Sequence, residues 1–336
     1  MQRRRPTIYD VAQHCGLAAS TVSRAFNNPG RVNARTRESV RAAAREIGYE
    51  PRPLARAESP GRARTLTLVV SDIANPHYAT VIKSAQARCL ERDYTLALID
   101  SDESPRVEAS NLRRLLATTS GGILATSRLS DDVVLQLFRH RPLVVLNREI
   151  GDVPNLIVDT ANGMRKAVRH LAAFGHRSVA YLSGPRNSWI NGQRWSAVRE
   201  EASSLGVHVA VLGPFSPDRR GGHEAADALV LQGATAAIAY NDLVAIGALQ
   251  HLQSLGIRLP RDRSLVGCDD IFGADLTVPA LTTIAGPADK LGAGAVDTMH
   301  AQLSGLLDSP GSTVFDAHLV VRGSTGPAPE TATNDN

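Results

Sequence analysis

The chain has 336 residues, more than one ordinary domain holds, and 43% of them are hydrophobic, enough for two or three cores. No run approaches the roughly 18 apolar residues of a membrane span. The start, Met1 to Pro6 with Arg3, Arg4 and Arg5 in succession, lacks the apolar run of a secretory leader, so a cytoplasmic protein is expected. The net charge of +4 is unevenly spread: residues 1–64 hold 13 arginines and 5 acids, a segment of +8, ahead of a body with 24 basic and 28 acidic side chains. A basic module on an acidic body suggests one end that meets a polyanion. A basic solvated tail has the same charge, so the pattern inside those residues must decide.

Thr7 and Asp10, three apart and ahead of an apolar pattern, form a capping-box-like helix start. Ile8, Val11 and Ala12 share one face, and Gly16 ends the helix. A second helix is expected from about residue 18 to 27. Val22 and Phe26 point inward, while Ala19, Ser20, Ser23, Arg24 and Asn27 lie on the other side. A third helix starts near Asn33, buries Val40, Ala44 and Ile47, and stops at Gly48. Two short helices around a glycine turn, backed by a third, make a helix-turn-helix, whose second helix would enter the major groove. A purely structural three-helix bundle has the same outline. The small polar outward face, flanked by arginines including Arg31 and Arg35, argues against it.

The stretch from Thr7 to Ala12, then Cys15 to Leu17, Thr21 to Arg24 and Asn27 closely resembles the headpiece of the LacI/GalR family of bacterial repressors. The resemblance implies that Ala19, Ser20 and Arg24 read bases, while Thr7, Tyr9, Thr21, Ser23, Asn27 and Arg31 touch or lie near phosphates. The chemistry fits, because arginine reads guanine through two hydrogen bonds while hydroxyls and amides hold the backbone. Ala18 stands where the family usually has a capping serine, which should weaken the second helix by about 1 kcal/mol.

Residues 49–56 resemble the family's hinge, with Leu54 and Arg56 as its expected DNA-contacting side chains. In relatives, paired hinge helices lie in the minor groove and a leucine from each wedges open the central base step, bending the duplex. Counting from Tyr49 through Ala55 and Arg56, the wedge position is Glu58, a carboxylate facing a strongly negative groove. Leu54 could substitute only if the pairing shifted. A shorter hinge helix and a flexible linker remain equal readings of residues 57–64.

From Thr65 short apolar runs (66–70, 96–99, 122–125, 143–146, 179–182, 207–212, 236–239 and 265–267) alternate with helical stretches. This is the rhythm of parallel sheets covered by helices, and the break at 151–154 with a restart near Asp159 suggests two α/β lobes. The expected fold class is thus multidomain: an all-α headpiece over 1–50, a linker over 51–64 and a two-lobed α/β domain over 65–323, of the kind found in periplasmic binding proteins. Lobe one takes 65–160 and 290–320, lobe two 161–289 and 321–323, and a disordered tail the rest, 324–336, which is rich in Pro, Ala, Thr and Asn. A Rossmann enzyme would share the rhythm. No phosphate loop, nucleophile elbow or His/Cys metal spacing is present. Cys15, Cys89 and Cys268 are too far apart for a redox or zinc motif and read as reduced, packed residues. Neither an enzyme nor a cofactor is expected. A transporter's solute-binding protein would need a leader and no helix-turn-helix.

The landmarks around Asp72, Asn147, Arg194, Asn241, Asp269 and residues 279–284 resemble the effector domain of the same family, and they follow strands, where open α/β sheets bind ligands. Asp72, His77, Tyr78, Ser127, Asn147 and Arg148 are the lobe-one candidates. From lobe two come Arg194, Phe215, Asn241, Asp242 and Asp269. Planar bidentate groups with one aromatic face suit a polyhydroxylated ring. Asp72 could instead cap a helix, Asn147 and Arg148 could close a strand, and Phe215 could be core. The expected partners are double-stranded operator DNA, a sugar-like effector and a second copy of the chain, a tetramer being left open. An activator, or a sensor of a nucleoside, would read the same way.

Overall fold

The computed structural model describes residues 6–27, 32–47, 49, 64–306 and 311–330. Two compact units divide the chain, Met1–Arg62 and Ala63–Asn336.

The first unit contains α1 (Ile8–Cys15), α2 (Ala19–Asn27) and α3 (Ala34–Glu46). The Asp10 carboxylate reaches back to Thr7, accepting from its N–H at 2.6 Å and its hydroxyl at 2.7 Å. Gly16 closes α1 at φ +69°, a left-handed conformation that a Cβ disfavours, and its N–H returns to the Ala12 carbonyl. The Asn33 side chain caps α3 by accepting from the Thr36 N–H at 2.8 Å. Val11, Val22, Ala25, Val40 and Ala44 form the core, with Ile8, Phe26 and Ile47 packed against it. The hinge expectations for Leu54, Arg56 and Glu58, and that for Arg31, lie outside the described residues.

The second unit opens with β1 (Thr65–Val70), α4 (Pro76–Glu91), β2 (Thr95–Asp100), α5 (Pro105–Leu115), β3 (Gly121–Ala125), α6 (Asp131–Leu137), β4 (Leu143–Leu146) and β5 (Asn155–Asp159). Every residue of β3 and β4 is buried, as central parallel strands covered on both faces require. At Asp159 and Thr160 the chain leaves for lobe two. There α7 (Thr160–Ala173), β6 (Ser178–Leu182), α8 (Trp189–Ser204), β7 (His208–Leu212), α9 (Arg219–Gln232), β8 (Ala236–Ala239), α10 (Asp242–Ser254), β9 (Ser264–Val266) and β10 (Thr283–Ala285) follow. It returns with α11 (Ala288–Leu303) and β11 (Ser312–Asp316), then crosses a third time at Ala317 into β12 (His318–Val320). Lobe one is a parallel sheet in the order β11-β5-β4-β3-β1-β2. Lobe two is a parallel sheet in the order β7-β6-β8-β9 beside an antiparallel β10-β12 pair.

Helices α9 and α10 meet backbone to backbone. A Cβ at Gly222 would strike the Val244 carbonyl and the Ala248 amide, and one at Gly247 would strike the Arg219 carbonyl.

The expectation of a disordered tail from residue 324 is corrected for residues 324–330. Ser324 is buried, donating its hydroxyl to the Leu265 carbonyl at 2.6 Å and accepting from the Thr282 N–H at 2.8 Å. Gly326 N–H donates to Ser264 Oγ at 3.0 Å, and Ala328 N–H donates to the Phe174 carbonyl at 2.8 Å. Small polar residues, which look disordered by composition, here pair with buried groups of lobe-two elements. Strands β5, β10, β11 and β12 fall outside the expected apolar runs, each being short with no more than three consecutive apolar residues.

Candidate functional site

In the first unit Tyr9 is exposed, while Thr21 and Ser23 are half-buried. Ala19, expected to point outward, is half-buried against the core formed by Val22 and Ala25. The backbone of Ser20, Arg24 and Asn27 belongs to α2, and their side chains lie outside the described residues. Thr7 serves the first turn of α1 through its bonds to Asp10.

A polar cleft lies between the two lobes of the second unit, at the carboxyl ends of their strands. It is lined by His77, Tyr78, Asn147, Arg194, Asn241 and Asp269, together with Asn75, Glu103, Thr126, Arg128, Ile190, Pro217 and Tyr240. The backbone bends sharply where strands deliver these groups. Thr126, Asn147 and Asp269 take φ of +55°, +52° and +114°. Such conformations in residues with a Cβ store roughly 1–3 kcal/mol each and concentrate where a side chain must be aimed.

Arg194 is the centre of the lobe-two wall. Its Nε donates to Thr160 Oγ1 at 3.1 Å, Nη1 to the Tyr240 carbonyl at 2.5 Å and Nη2 to Asp269 Oδ1 at 3.0 Å. Its guanidinium carbon lies 5.2 Å from the centre of the Tyr240 ring, so the ring face adds cation–π attraction. Asn241 caps α10, accepting from the Val244 N–H at 2.9 Å, while its Nδ2 donates to the Pro217 carbonyl at 2.9 Å.

The lobe-one wall rests on a hydroxyl cluster. Ser71 Oγ lies 2.9 Å from the Tyr78 hydroxyl and 2.6 Å from Thr126 Oγ1, and the Tyr78 and Thr126 hydroxyls also touch. Asn75 caps α4 by accepting from the His77 N–H at 3.0 Å. Asn147 Oδ1 accepts from the Val158 N–H at 2.9 Å. Among the described residues His77 Nδ1 is buried without a hydrogen-bond partner.

Five of the candidate residues stand outside the lining. Asp72 accepts from the Ala74 N–H at 2.8 Å and shapes the turn before α4. Ser127 Oγ accepts from the Leu129 N–H at 3.2 Å. Arg148 turns beneath the cleft floor to the Ser127 carbonyl at 3.0 Å and Asp131 at 2.5 Å. Phe215 packs on the lobe-two core. Asp242 is fully buried behind the wall, accepting from Thr283 Oγ1 at 2.5 Å and the Ile271 N–H at 2.9 Å. Burial, then the nearby charge of Asp269, pushes its carboxyl up to about 7. Each of the five follows a strand as anticipated, but its side chain is spent on the protein.

Sequence reasoning passed over Glu103, Thr126, Arg128 and Tyr240. The signal was there, since each follows a strand by one to three residues, at the same edge as the residues chosen.

The profile of bacterial regulatory proteins of the lacI family matches residues 7–52, and that of the periplasmic binding protein-like domain matches residues 168–325. Over 334 residues the chain is 30% identical to the HTH-type transcriptional regulator DegA of Bacillus subtilis (strain 168), covering 96% of this chain and 99% of that one. The chain belongs to the LacI family. Solved structures of LacI-family members superpose over almost its whole length. The complex of the transcriptional regulator CelR with cellobiose shares 27% identity at a TM-score of 0.71, covering 95% of this chain and 100% of that one. The lac repressor dimer bound to operator and the anti-inducer ONPF shares 25% identity at a TM-score of 0.71, covering 96% of this chain and 100% of that one. Like its LacI-family relatives, the chain is a DNA-binding transcriptional regulator and not an enzyme. Among the described residues no helix is long and apolar enough to cross a membrane.

Proposed function

We infer that this LacI-family chain is a cytoplasmic, homodimeric repressor whose hold on operator DNA is switched by a small, sugar-like effector in the cleft between its lobes. The observation that carries the reading is the buried Arg194, which gathers Thr160, Tyr240 and Asp269 at the cleft wall. A planar donor fixed by three partners, beside a carboxylate, presents alternating donors and acceptors that match the rim of a polyol. Thr160 opens α7 at the first crossing between lobes, so a ligand held by Arg194 acts on the hinge of the domain. At the other end, the +8 segment supplies salt-dependent affinity for any duplex, and Arg24 supplies preference for one sequence.

An operator gel shift across a sugar panel tests both ends. Arg194→Ala keeps the operator and loses the effector's influence on it, because the coupling between two sites is reciprocal. Arg24→Ala keeps salt-dependent binding and loses sequence preference. An effector that still shifted Arg194→Ala with unchanged potency would remove that residue from the ligand's path.

A further inference from the structure

Across the cleft from Arg194 stands a second arginine. Arg128 follows β3, and its Nε and Nη2 donate to the two carboxylate oxygens of Glu103, at 2.5 and 3.0 Å. Side-chain exposure is 2% for Arg128 and 24% for Glu103, so the pair is sunk into the lobe-one wall with its carboxylate edge open to the cleft. The backbone beneath is held as firmly: the buried Glu108 accepts from the Arg128 N–H at 2.9 Å. The pair also looks toward lobe two. The Arg128 carbonyl accepts from Asn187 Nδ2 at 3.4 Å.

Resting on the reading of the cleft as an effector site, we propose that Arg128 and Glu103 form a second ligand-reading pair, one that selects an uncharged polyhydroxylated effector over its phosphorylated or carboxylated counterparts. The charges of the lining carry the argument. Its arginines are Arg128 and Arg194, its carboxylates Glu103 and Asp269, and each arginine is tied to one carboxylate. No arginine is left over for an anion. A phosphate brought against Arg128 must displace Glu103 or lie beside it, and uncompensated like charge in a buried site is strongly disfavoured. A pair of neighbouring hydroxyls meets no such penalty. One accepts from the Nη1 hydrogens that Glu103 does not engage, and the other donates to a remaining lone pair of the Glu103 carboxylate. With Arg194 and Asp269 opposite, hydroxyls at both ends of the ligand are read, one end by each lobe.

The test pairs each neutral probe with an acid of the same skeleton: D-ribose with ribose 5-phosphate, D-glucose with glucose 6-phosphate and gluconate, cellobiose with cellobionate. Thermal shift of the full chain, followed by calorimetry on the probes that bind, compares the parent with Glu103→Gln and Glu103→Asp. The parent is stabilised by neutral probes and not by their acids. Glu103→Gln frees the Arg128 charge and moves the acid-to-neutral affinity ratio toward the acid by about tenfold or more, whereas Glu103→Asp retains the parental preference. An acid that binds the parent as well as its neutral counterpart overturns the inference, and so does an unchanged ratio in Glu103→Gln. If Arg194→Ala then still abolishes the binding seen in the parent, the effector site stands and only the role of Arg128 and Glu103 falls. A parent that responds to no probe of either charge removes both.

Discussion

Arg194, on α8, and Asp269, just after β9, form an ion pair with Nη2 and Oδ1 3.0 Å apart, and their side chains are only 6% and 8% exposed. Breaking such a pair from one side leaves a buried charge alone, which destabilises a domain by roughly 3–5 kcal/mol. Arg194→Met and Asp269→Asn should each lower the midpoint of urea unfolding substantially. The double variant should lose less than the two losses added, since the second substitution removes the stranded charge. Strictly additive losses in that cycle would mean that the pair contributes no coupling.

Asp242 makes a prediction about pH. Burial and the charge of Asp269 raise its carboxyl from an ordinary 3.8 to about 7. The folded state therefore keeps a proton that the unfolded chain gives up above about pH 4. Its contribution to stability is full below that point, is lost as pH rises toward 7, and stays lost beyond. Asn at this position can accept from the Ile271 N–H and donate to Thr283, and it does not ionise. Asp242→Asn should thus gain on the parent by a few kcal/mol between about pH 5 and pH 8. Parallel stability curves over that range would show that Asp242 titrates where a free carboxylate does.

The segment at 324–328 is structural. Ser324→Ala leaves the buried Thr282 N–H and Leu265 carbonyl without that hydroxyl. The expected loss is about 1–3 kcal/mol, read by chemical denaturation. Truncation after Gly323 should cost more, because the bonds of Thr325, Gly326 and Ala328 go with it. A truncated chain with the parent's unfolding midpoint would return the segment to the status of a loose end.

Counted from Tyr49, the expected hinge register puts Glu58 where the family resemblance implies a leucine wedged between base pairs. A leucine leaves water on entering that gap, which helps offset unstacking of a few kcal/mol per step. A carboxylate loses its hydration and meets phosphate charge instead. Glu58→Leu should tighten operator binding and increase the bend in a circular-permutation gel shift. Should neither change, while the parent already bends DNA sharply at the site centre, the hinge register is wrong and Leu54 is the residue to substitute.

How far the fold and cleft could be read in advance depended on period and on neighbours. The headpiece helices and the buried strands announced themselves, because a stripe at helical spacing and a solid apolar run have few other uses. Consecutive residues after a strand were harder. Asn147 and Arg148 both follow β4, yet one lines the cleft and the other dives to Asp131. Asn241 and Asp242 divide in the same way. Which of two neighbours faces a ligand depends on a backbone turn, and a turn such as the left-handed Thr126 is invisible in composition. After β3 the neighbours divide again: Thr126 and Arg128 line the cleft, while Ser127 between them turns its hydroxyl to the Leu129 N–H.

The glycine seam between α9 and α10 has a mechanical consequence. Where backbone rests on backbone, sliding by even one residue would drive a Cβ into a carbonyl, as the sites at Gly222 and Gly247 show. The two helices are keyed against shear and must travel as a single block. Asn241 opens α10, so it rides on that block. Under the proposed function, closure on an effector should therefore concentrate its rotation in the three short crossings near residues 160, 287 and 317, where single substitutions are expected to alter the response to effector without touching either the effector or the DNA.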